Sequence, residues 1–262
     1  MRILFLGDVV GKPGRAIVSK LLPQLKKEFS PDVILANVEN LAHGKGVTKK
    51  TWAEVQAAGV MIGTSGNHIL SKEMDAAALL TDPDTHVLRP ANYPSTFPGV
   101  GAKVFPVAGK EVLVMNLSGE VNMAHEPTSP FVAVEKLLTE NPKHDLVILD
   151  LHAEATSEKV AMGWYLDGRA TLVVGTHTHV PTADARILPG GTAYVTDLGM
   201  CGLQNGIIGV DREAIMPRFL ENRKPPHEIA EHGPVQFCSV LVEVGTDGKA
   251  TAIQRIDRQS TV

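Results

Sequence analysis

Two histidines one residue apart, His177 and His179, stand in the run Gly175-Thr176-His177-Thr178-His179, directly after the apolar stretch Ala170-Thr171-Leu172-Val173-Val174. In an extended segment residues two apart point to the same side, so both imidazoles would leave the end of one strand together, in a posture suited to a metal ion. Taken alone, a His-x-His pair is as readily two hydrogen-bonded loop histidines. This pair has company: Asp8, Glu39 with Asn40, Asn67 with His68, and His152 each follow an apolar run of their own. Singly, each has a plainer role. Asp8 could cap a helix, Asn40 and Asn67 could occupy turns, and His68 and His152 could be satisfied core histidines. As a set of strand-end carboxylates, amides and imidazoles they read as a site.

Carboxylate, carbonyl and imidazole donors in this mixture suit manganese, iron or zinc. No thiolate joins them, which argues against structural zinc, and the histidines argue against calcium. The donors are too many for one ion. Two ions sharing a bridging carboxylate would use them, and such a pair can generate a hydroxide nucleophile while clamping the oxygens of a phosphoryl group. Charge agrees, because Asp8 and Glu39 bring two negative charges against the four positive of two divalent ions. The surplus suits a phosphodiester monoanion plus hydroxide.

The elements that must position these groups are legible as alternation. Strand-like runs at residues 2–6, 32–36, 59–63, 145–150 and 170–174 are interleaved with helical patterns at 13–29, from Thr48 onward, at 73–80, at 131–140 and at 156–165. Pro13 opens the first helix, in which Ile17, Leu21, Leu22 and Leu25 fall at helical spacing and Pro23 is placed to kink it. The Pro-rich residues 82–98 read as irregular apart from a short strand at Val87-Leu88. Residues 103–107 and 112–117 read as a hairpin or sheet edge, 185–188 and 192–195 pair around Pro189-Gly190-Gly191, 211–221 are helical, and 235–244 with 250–256 form a closing hairpin. Parallel strands covered by helices, with antiparallel additions, give the α/β class and a layered α/β/α sandwich with mixed sheets. In such sheets ligands bind outside the carboxyl ends of the strands, and parallel strands would bring every candidate above to that one edge.

The 262-residue chain, 44% hydrophobic and 21% charged, has the profile of a soluble globular protein. It shows no internal repeat and no low-complexity linker, so residues 1–262 read as a single domain. A net charge of -4 without a basic run argues against long nucleic acids as partners. No apolar run is long enough to span a membrane and no signal peptide opens the chain, so the expected location is the cytoplasm. Cys201 and Cys238 have no disulfide or zinc spacing and read as buried thiols.

The motifs Gly7-Asp8, Gly66-Asn67-His68 and Gly175-Thr176-His177-Thr178-His179 resemble those of the calcineurin-like metallophosphoesterases. More narrowly, Asn37-Val38-Glu39-Asn40, the run Asp150-Leu151-His152-Ala153-Glu154-Ala155-Thr156-Ser157-Glu158-Lys159 and the overall length resemble the bacterial YmdB-like branch across essentially the whole chain. The sequence departs from the wider superfamily where Val9-Val10 follow Asp8, with no Asp-x-His, and where Glu39-Asn40 replaces the usual aspartate motif. The resemblance implies a metallophosphoesterase-like sandwich and a di-metal phosphodiesterase acting on 2′,3′-cyclic nucleotides or 3′,5′-cyclic AMP. It implies iron or manganese, ahead of magnesium or zinc. By the same resemblance Asp8, Glu39, Asn40 and His179 would hold one ion, Glu39, Asn67, His152 and His177 the other, with Glu39 bridging. His68 would be no ligand but would face the phosphate as a catalytic donor.

Other features stay minor. Gly11-Lys12-Pro13-Gly14 lacks full phosphate-loop spacing and reads as a loop shaping the first helix. His43, Gly44 and Gly46 form either a mobile rim near Glu39 or an ordinary turn. Glu154 either orients His152 or favours the start of a helix. Trp52, Trp164 and Tyr165, at helical positions, read as core before base-stacking groups. His86, His125, His144, His227 and His232 read as surface or loop residues. Two rival functions share the site: a phosphatase for monoesters or phosphoproteins, and a regulator that binds cyclic nucleotide without cleaving it. Antiparallel edges and apolar loops are compatible with a homo-oligomer.

Overall fold

An apolar run with no polar alternation must be covered on both faces, and the first strand shows how. In the computed structural model, which describes residues 1–223 and 228–262, Arg2–Val9 (β1) is buried from Ile3 onward. Leu4 and Leu6 face one apolar cluster while Ile3 and Phe5 face another. After β1 the chain runs through Gly11–Phe29 (α1), Val33–Asn37 (β2), Lys49–Ala58 (α2), Ile62–Thr64 (β3), Glu73–Leu80 (α3), Ala102–Val107 (β4), Lys110–Ser118 (β5) and Pro130–Glu140 (α4). It continues with Leu146–His152 (β6), Thr156–Tyr165 (α5), Leu172–Thr176 (β7), Arg186–Ile187 (β8), Ala193–Val195 (β9) and Met200–Leu203 (β10). Arg212–Glu221 (α6), Pro234–Phe237 (β11), Ser239–Val244 (β12), Ala250–Arg255 (β13) and Arg258–Thr261 (β14) complete it.

Two sheets result. The first has eight strands, with β1, β2 and β3 parallel, β12 antiparallel along the other edge of β1, and β10 pairing with the end of β1 at Asp8 and Val9. The second has six, in the order β4-β5-β6-β7-β9-β8, its four inner strands parallel and its two outer strands antiparallel. The sheets face one another across an apolar layer that includes Phe5, Leu35, Val114, Ile148 and Val174. Helices α1, α2 and α3 cover the outer face of the first sheet, and α4 and α5 that of the second. The expected α/β/α layering with mixed sheets is therefore present with its β layer doubled. Strands buried on both faces look alike in sequence whether a helix or another sheet covers them, so the doubling left no signal.

Local chemistry explains several boundaries. Thr48 caps α2 by accepting from the Thr51 N–H at 3.1 Å. Pro23 sits inside α1 without ending it. The Gly-Lys-Pro-Gly run is the first turn of α1 rather than a preceding loop, and a side chain at Gly14 would lie 2.4 Å from the Cys201 carbonyl oxygen. The expected strand 235–244 breaks at Cys238, whose carbonyl accepts from Gly7 N at 3.0 Å, so that β11 pairs with β10 and β12 with β1. Strands β10 and β14 carry no apolar alternation, Met-Cys-Gly-Leu and Arg-Gln-Ser-Thr, and sequence reading passes over both. Val87 makes a single parallel bridge to Gly63.

Candidate metal centre

The carboxyl ends of β1, β2 and β3 in one sheet and of β6 and β7 in the other open onto the same place. Register shows why: Asp8 pairs with Asn37 and Asn37 with Thr64, while Ser118, His152 and Thr176 share one level across β5, β6 and β7. All eight residues singled out from the sequence lie in this cluster. None is stranded elsewhere.

One half is centred on His152, which is fully buried. Its Nε2 lies 3.1 Å from Glu39 Oε1, 3.0 Å from Asn67 Oδ1 and 3.0 Å from His177 Nδ1. The ring orientation is set from behind: Nδ1–H donates to Thr176 Oγ1 at 2.9 Å, and that hydroxyl donates to Asp150 Oδ1 at 2.8 Å. Because the Thr176 proton goes to Asp150, Nδ1 must be the protonated nitrogen and Nε2 presents a lone pair. His177 is fixed likewise, with Nε2 3.2 Å from Glu154 Oε2 and Nδ1 turned inward. Four lone-pair donors thus face one point with no hydrogen between them. That arrangement is repulsive unless a cation or an added proton occupies the point. Glu39, His152 and His177 satisfy the mutual distances of a metal-binding group.

Asp8, Asn40 and His179 form the other half. His179 Nε2 is 3.2 Å from Asn40 Nδ2 and 3.8 Å from Asp8 Oδ1, while its Nδ1–H donates to the Ile208 carbonyl at 2.8 Å. Asp8 Oδ1 and Asn40 Oδ1 are buried with no hydrogen-bond partner among the described residues. An orphaned buried acceptor costs about 1–3 kcal/mol, and here two point into the same cluster, so this donor set also fits a bound cation. His177 N–H donates to Asp8 Oδ2 at 3.2 Å and joins the halves. Glu39 Oε2 accepts from the His68 N–H at 2.7 Å, which fixes the carboxylate whose Oε1 faces His152.

The ionisation pattern has the same cause. Burial alone would depress His152, but Glu39, Asp8 and Asp150 push it up to about 9. Burial would raise Glu39, yet the charge and hydrogen bond of His152 and the nearby His68 bring it down to about 2. Asp8 is pushed up to about 6, chiefly by burial. Burial, with His152 beside it, holds His177 down at about 3. Burial also lowers His68, against the pull of Glu39. The pocket demands positive charge at the point where the donors meet.

Several positioning residues escaped the sequence reading. Lys159 and Asp197, each 1% exposed at the side chain, pair at 2.7 Å. Asp197 also accepts from Thr178 Oγ1 at 2.8 Å, Thr178 N at 3.2 Å and Gly199 N at 2.8 Å, and so holds the residue between the two histidines. Asp197 follows β9, the same strand-end signal that flagged Asp8. Glu154, just ahead of α5 and its N-cap Ala155, contacts His177 rather than His152. Trp52 is core, whereas Trp164 and Tyr165 are exposed, so the core expectation fails for those two. His125 is an exposed loop residue that still reaches the Asn67 carbonyl at 3.0 Å. His86 bonds the Met61 carbonyl and His144 that of Asn141, His232 is exposed, and His227 lies outside the described residues. Gly44 and Lys45 line a cavity of about 240 Å³ with His68, Asn40 and His179, so the His43–Gly46 turn is also a rim.

Comparison with known proteins places this geometry. The sequence model for YmdB-like proteins matches residues 4–256. A Bacillus subtilis protein named 2′,3′-cyclic-nucleotide 2′-phosphodiesterase is 45% identical over 258 residues, covering 98% of this chain and 96% of that one. A Thermus thermophilus protein described as a hypothetical protein superposes with a TM-score of 0.92 at 40% identity, covering 99% of both chains. A Mycoplasma pneumoniae protein solved as a novel phosphatase gives 0.93 at 36% identity, covering 99% of this chain and 93% of that one. With the match spanning the strand ends that carry all eight residues, the chain belongs to the YmdB-like protein family.

Proposed function

We propose that this protein is a two-metal phosphodiesterase that opens cyclic nucleotides, 2′,3′-cyclic nucleotides or 3′,5′-cyclic AMP, to monophosphates. The observation that carries the reading is the set of four inward lone pairs, that of His152 Nε2 and the three facing it, beside two orphaned acceptors. The name of the Bacillus subtilis relative supports the substrate class. Asp8, Glu39, Asn40 and His179 would hold one ion and Glu39, Asn67, His152 and His177 the other, with iron or manganese suiting the mixed donors best. Bound there, the two ions would supply a hydroxide nucleophile at neutral pH and offset charge on the phosphoryl oxygens.

The chain's own residues do the rest. Glu39 is held through Oε2 by the His68 N–H, which leaves Oε1 facing His152. Thr176 and Ile208 fix the tautomers of His152 and His179, so that both imidazoles keep a lone pair inward. His68 lines the adjoining cavity, where its ring N–H is placed to donate to a phosphoryl oxygen or to the departing alkoxide. The same reading takes the chain as one domain working in the cytoplasm. Among the described residues no helix is long and apolar enough to cross a membrane.

The test is metal content per chain together with turnover of bis-p-nitrophenyl phosphate, p-nitrophenyl phosphate and 2′,3′-cyclic AMP. Wild type should carry about two metal equivalents and cleave diesters. Asn67→Ala should lose metal and turnover together, while His68→Ala should keep its metal and lose turnover by about 10²-fold or more. Turnover of the monoester alone would favour a phosphatase. Tight cyclic-nucleotide binding without cleavage by metal-loaded protein would favour a regulator.

A further inference from the structure

The cavity of about 240 Å³ beside His68 carries more chemistry than the metal centre uses. Its inner end is the centre itself, through Asn40, His68 and His179. Its outer wall is apolar and comes from one stretch of chain, the turn closed by Ile207 and Val210 and then α6, which contribute Ile207, Ile208, Ile215 and Phe219. No residue of α6 is buried, and Phe219 is 66% exposed, so core packing does not account for this apolar face. Lys45 and Arg218 also line the cavity, and among the described residues no carboxylate does. The acids of α6 pair elsewhere, Glu213 with Arg212 and Glu221 with Arg223, which leaves Arg218 without an acidic partner among the described residues. The wall is also tied to the centre, because the Ile208 carbonyl accepts from His179 Nδ1.

A phosphoester-directed inner end, a cationic lining and an apolar wall in one cavity fit a single class of occupant. We infer that this is the seat for the nucleoside part of the substrate, and that it holds any of the four bases with similar strength; the inference rests on the phosphodiesterase reading above. The wall side chains carry no donor or acceptor that could read a base edge. A base gains there by burial and by stacking on Phe219, which every base can do because every base has a π-face. Discrimination between bases would need a buried polar group left unpaired by the wrong one, and the wall has none. Lys45 and Arg218 would attract the anionic ester.

The experiment compares kcat/KM of metal-loaded protein on the four 2′,3′-cyclic mononucleotides and on glycerol 1,2-cyclic phosphate, which has a cyclic ester but no base. The nucleotides should exceed the glycerol ester by about tenfold or more, the scale of one stacked base, and should differ among themselves by less than that. In Phe219→Ala the nucleotide-to-glycerol ratio should fall toward one through a higher KM. Arg218→Gln should raise KM for all five esters, most at low salt. A wild-type ratio near one overturns the seat, and a spread above tenfold among bases overturns the indifference. If Phe219→Ala slowed glycerol and nucleotide esters alike and altered the sedimentation coefficient, the wall would be an interface between copies and the seat would fall. Turnover of none of the five by wild type would defeat the phosphodiesterase reading itself. Equilibrium binding would then decide the seat: unchanged affinity of Phe219→Ala for 2′,3′-cyclic AMP overturns it, and weakened affinity upholds it.

Discussion

Gly66 is the position where one methyl group should remove the metal centre. A Cβ built there would lie 2.0 Å from His152 Cδ2, 2.1 Å from Nε2 and 2.3 Å from Cγ, where ordinary contact begins at 3.4 Å. The ring or the Gly66–Asn67 backbone must therefore withdraw by about 1.4 Å (3.4 − 2.0). The backbone at Gly66 is not in the left-handed region, so the substitution tests space and not conformation. A shift of that size exceeds what the three contacts of about 3 Å at His152 Nε2 can absorb. Loss of a ligand's orienting contacts alone corresponds to about 10–100-fold in metal affinity, so displacing the ring should cost at least that, and a misplacement of about 1 Å costs about 10²-fold in rate. Gly66→Ala protein would be dialysed against a metal buffer, assayed for metal by mass spectrometry and for diester turnover, with circular dichroism to establish folding. Folded protein with wild-type metal content and turnover within threefold would refute the argument.

Three further expectations follow from the surroundings of the centre. Thr176→Val keeps shape but removes the link from His152 to Asp150; metal affinity by titration calorimetry should fall about 10–100-fold, and an undiminished affinity would discard the tautomer assignment. Lys159→Met leaves Asp197 buried and uncompensated, and denaturant unfolding should show a loss of about 3–5 kcal/mol, whereas a loss under 1 kcal/mol would mean that the pair is dispensable. In metal-free protein His152 binds its proton more tightly folded, at about 9, than unfolded, near 6.5, so its stabilisation is complete below about pH 6.5 and is lost as pH rises through 9. Chemical denaturation between pH 6.5 and 9 should show a decline approaching 1.4 kcal/mol per pH unit that added metal abolishes, and a flat apo profile would contradict it.

The convergence of the eight candidate residues was legible because each ends a strand-like run and parallel strands have a common carboxyl edge. Asp197 carried the same signal after β9 and was passed over, since that run reads first as half of a hairpin. Lys159 could not be found this way: a lysine on an amphipathic helix normally reaches solvent, and only the packing of α5 against β7 buries it. Thr176 lies inside a recognised motif, but a hydroxyl that relays a proton has no spacing of its own. Glu154 shows the limit of adjacency, because it is two residues from His152 yet touches His177, which arrives on the neighbouring strand. The second sheet was hidden for a related reason, since burial on both faces says nothing about what does the burying.

The two-sheet construction would give the proposed metal centre a role as a gauge. Apolar side chains between the sheets, such as Phe5 against those of the β5 and β6 layer, hold the faces together without direction, and such contacts tolerate small slides. The donors do not, for they divide along the seam: Asp8, Glu39, Asn40 and Asn67 ride on one sheet, His152, His177 and His179 on the other. Any shear of one sheet over its partner would separate the two groups of candidate donors. Alignment of the whole sandwich is thereby read at its edge, and a repacking error far from the chemistry would first be felt as a lost ion.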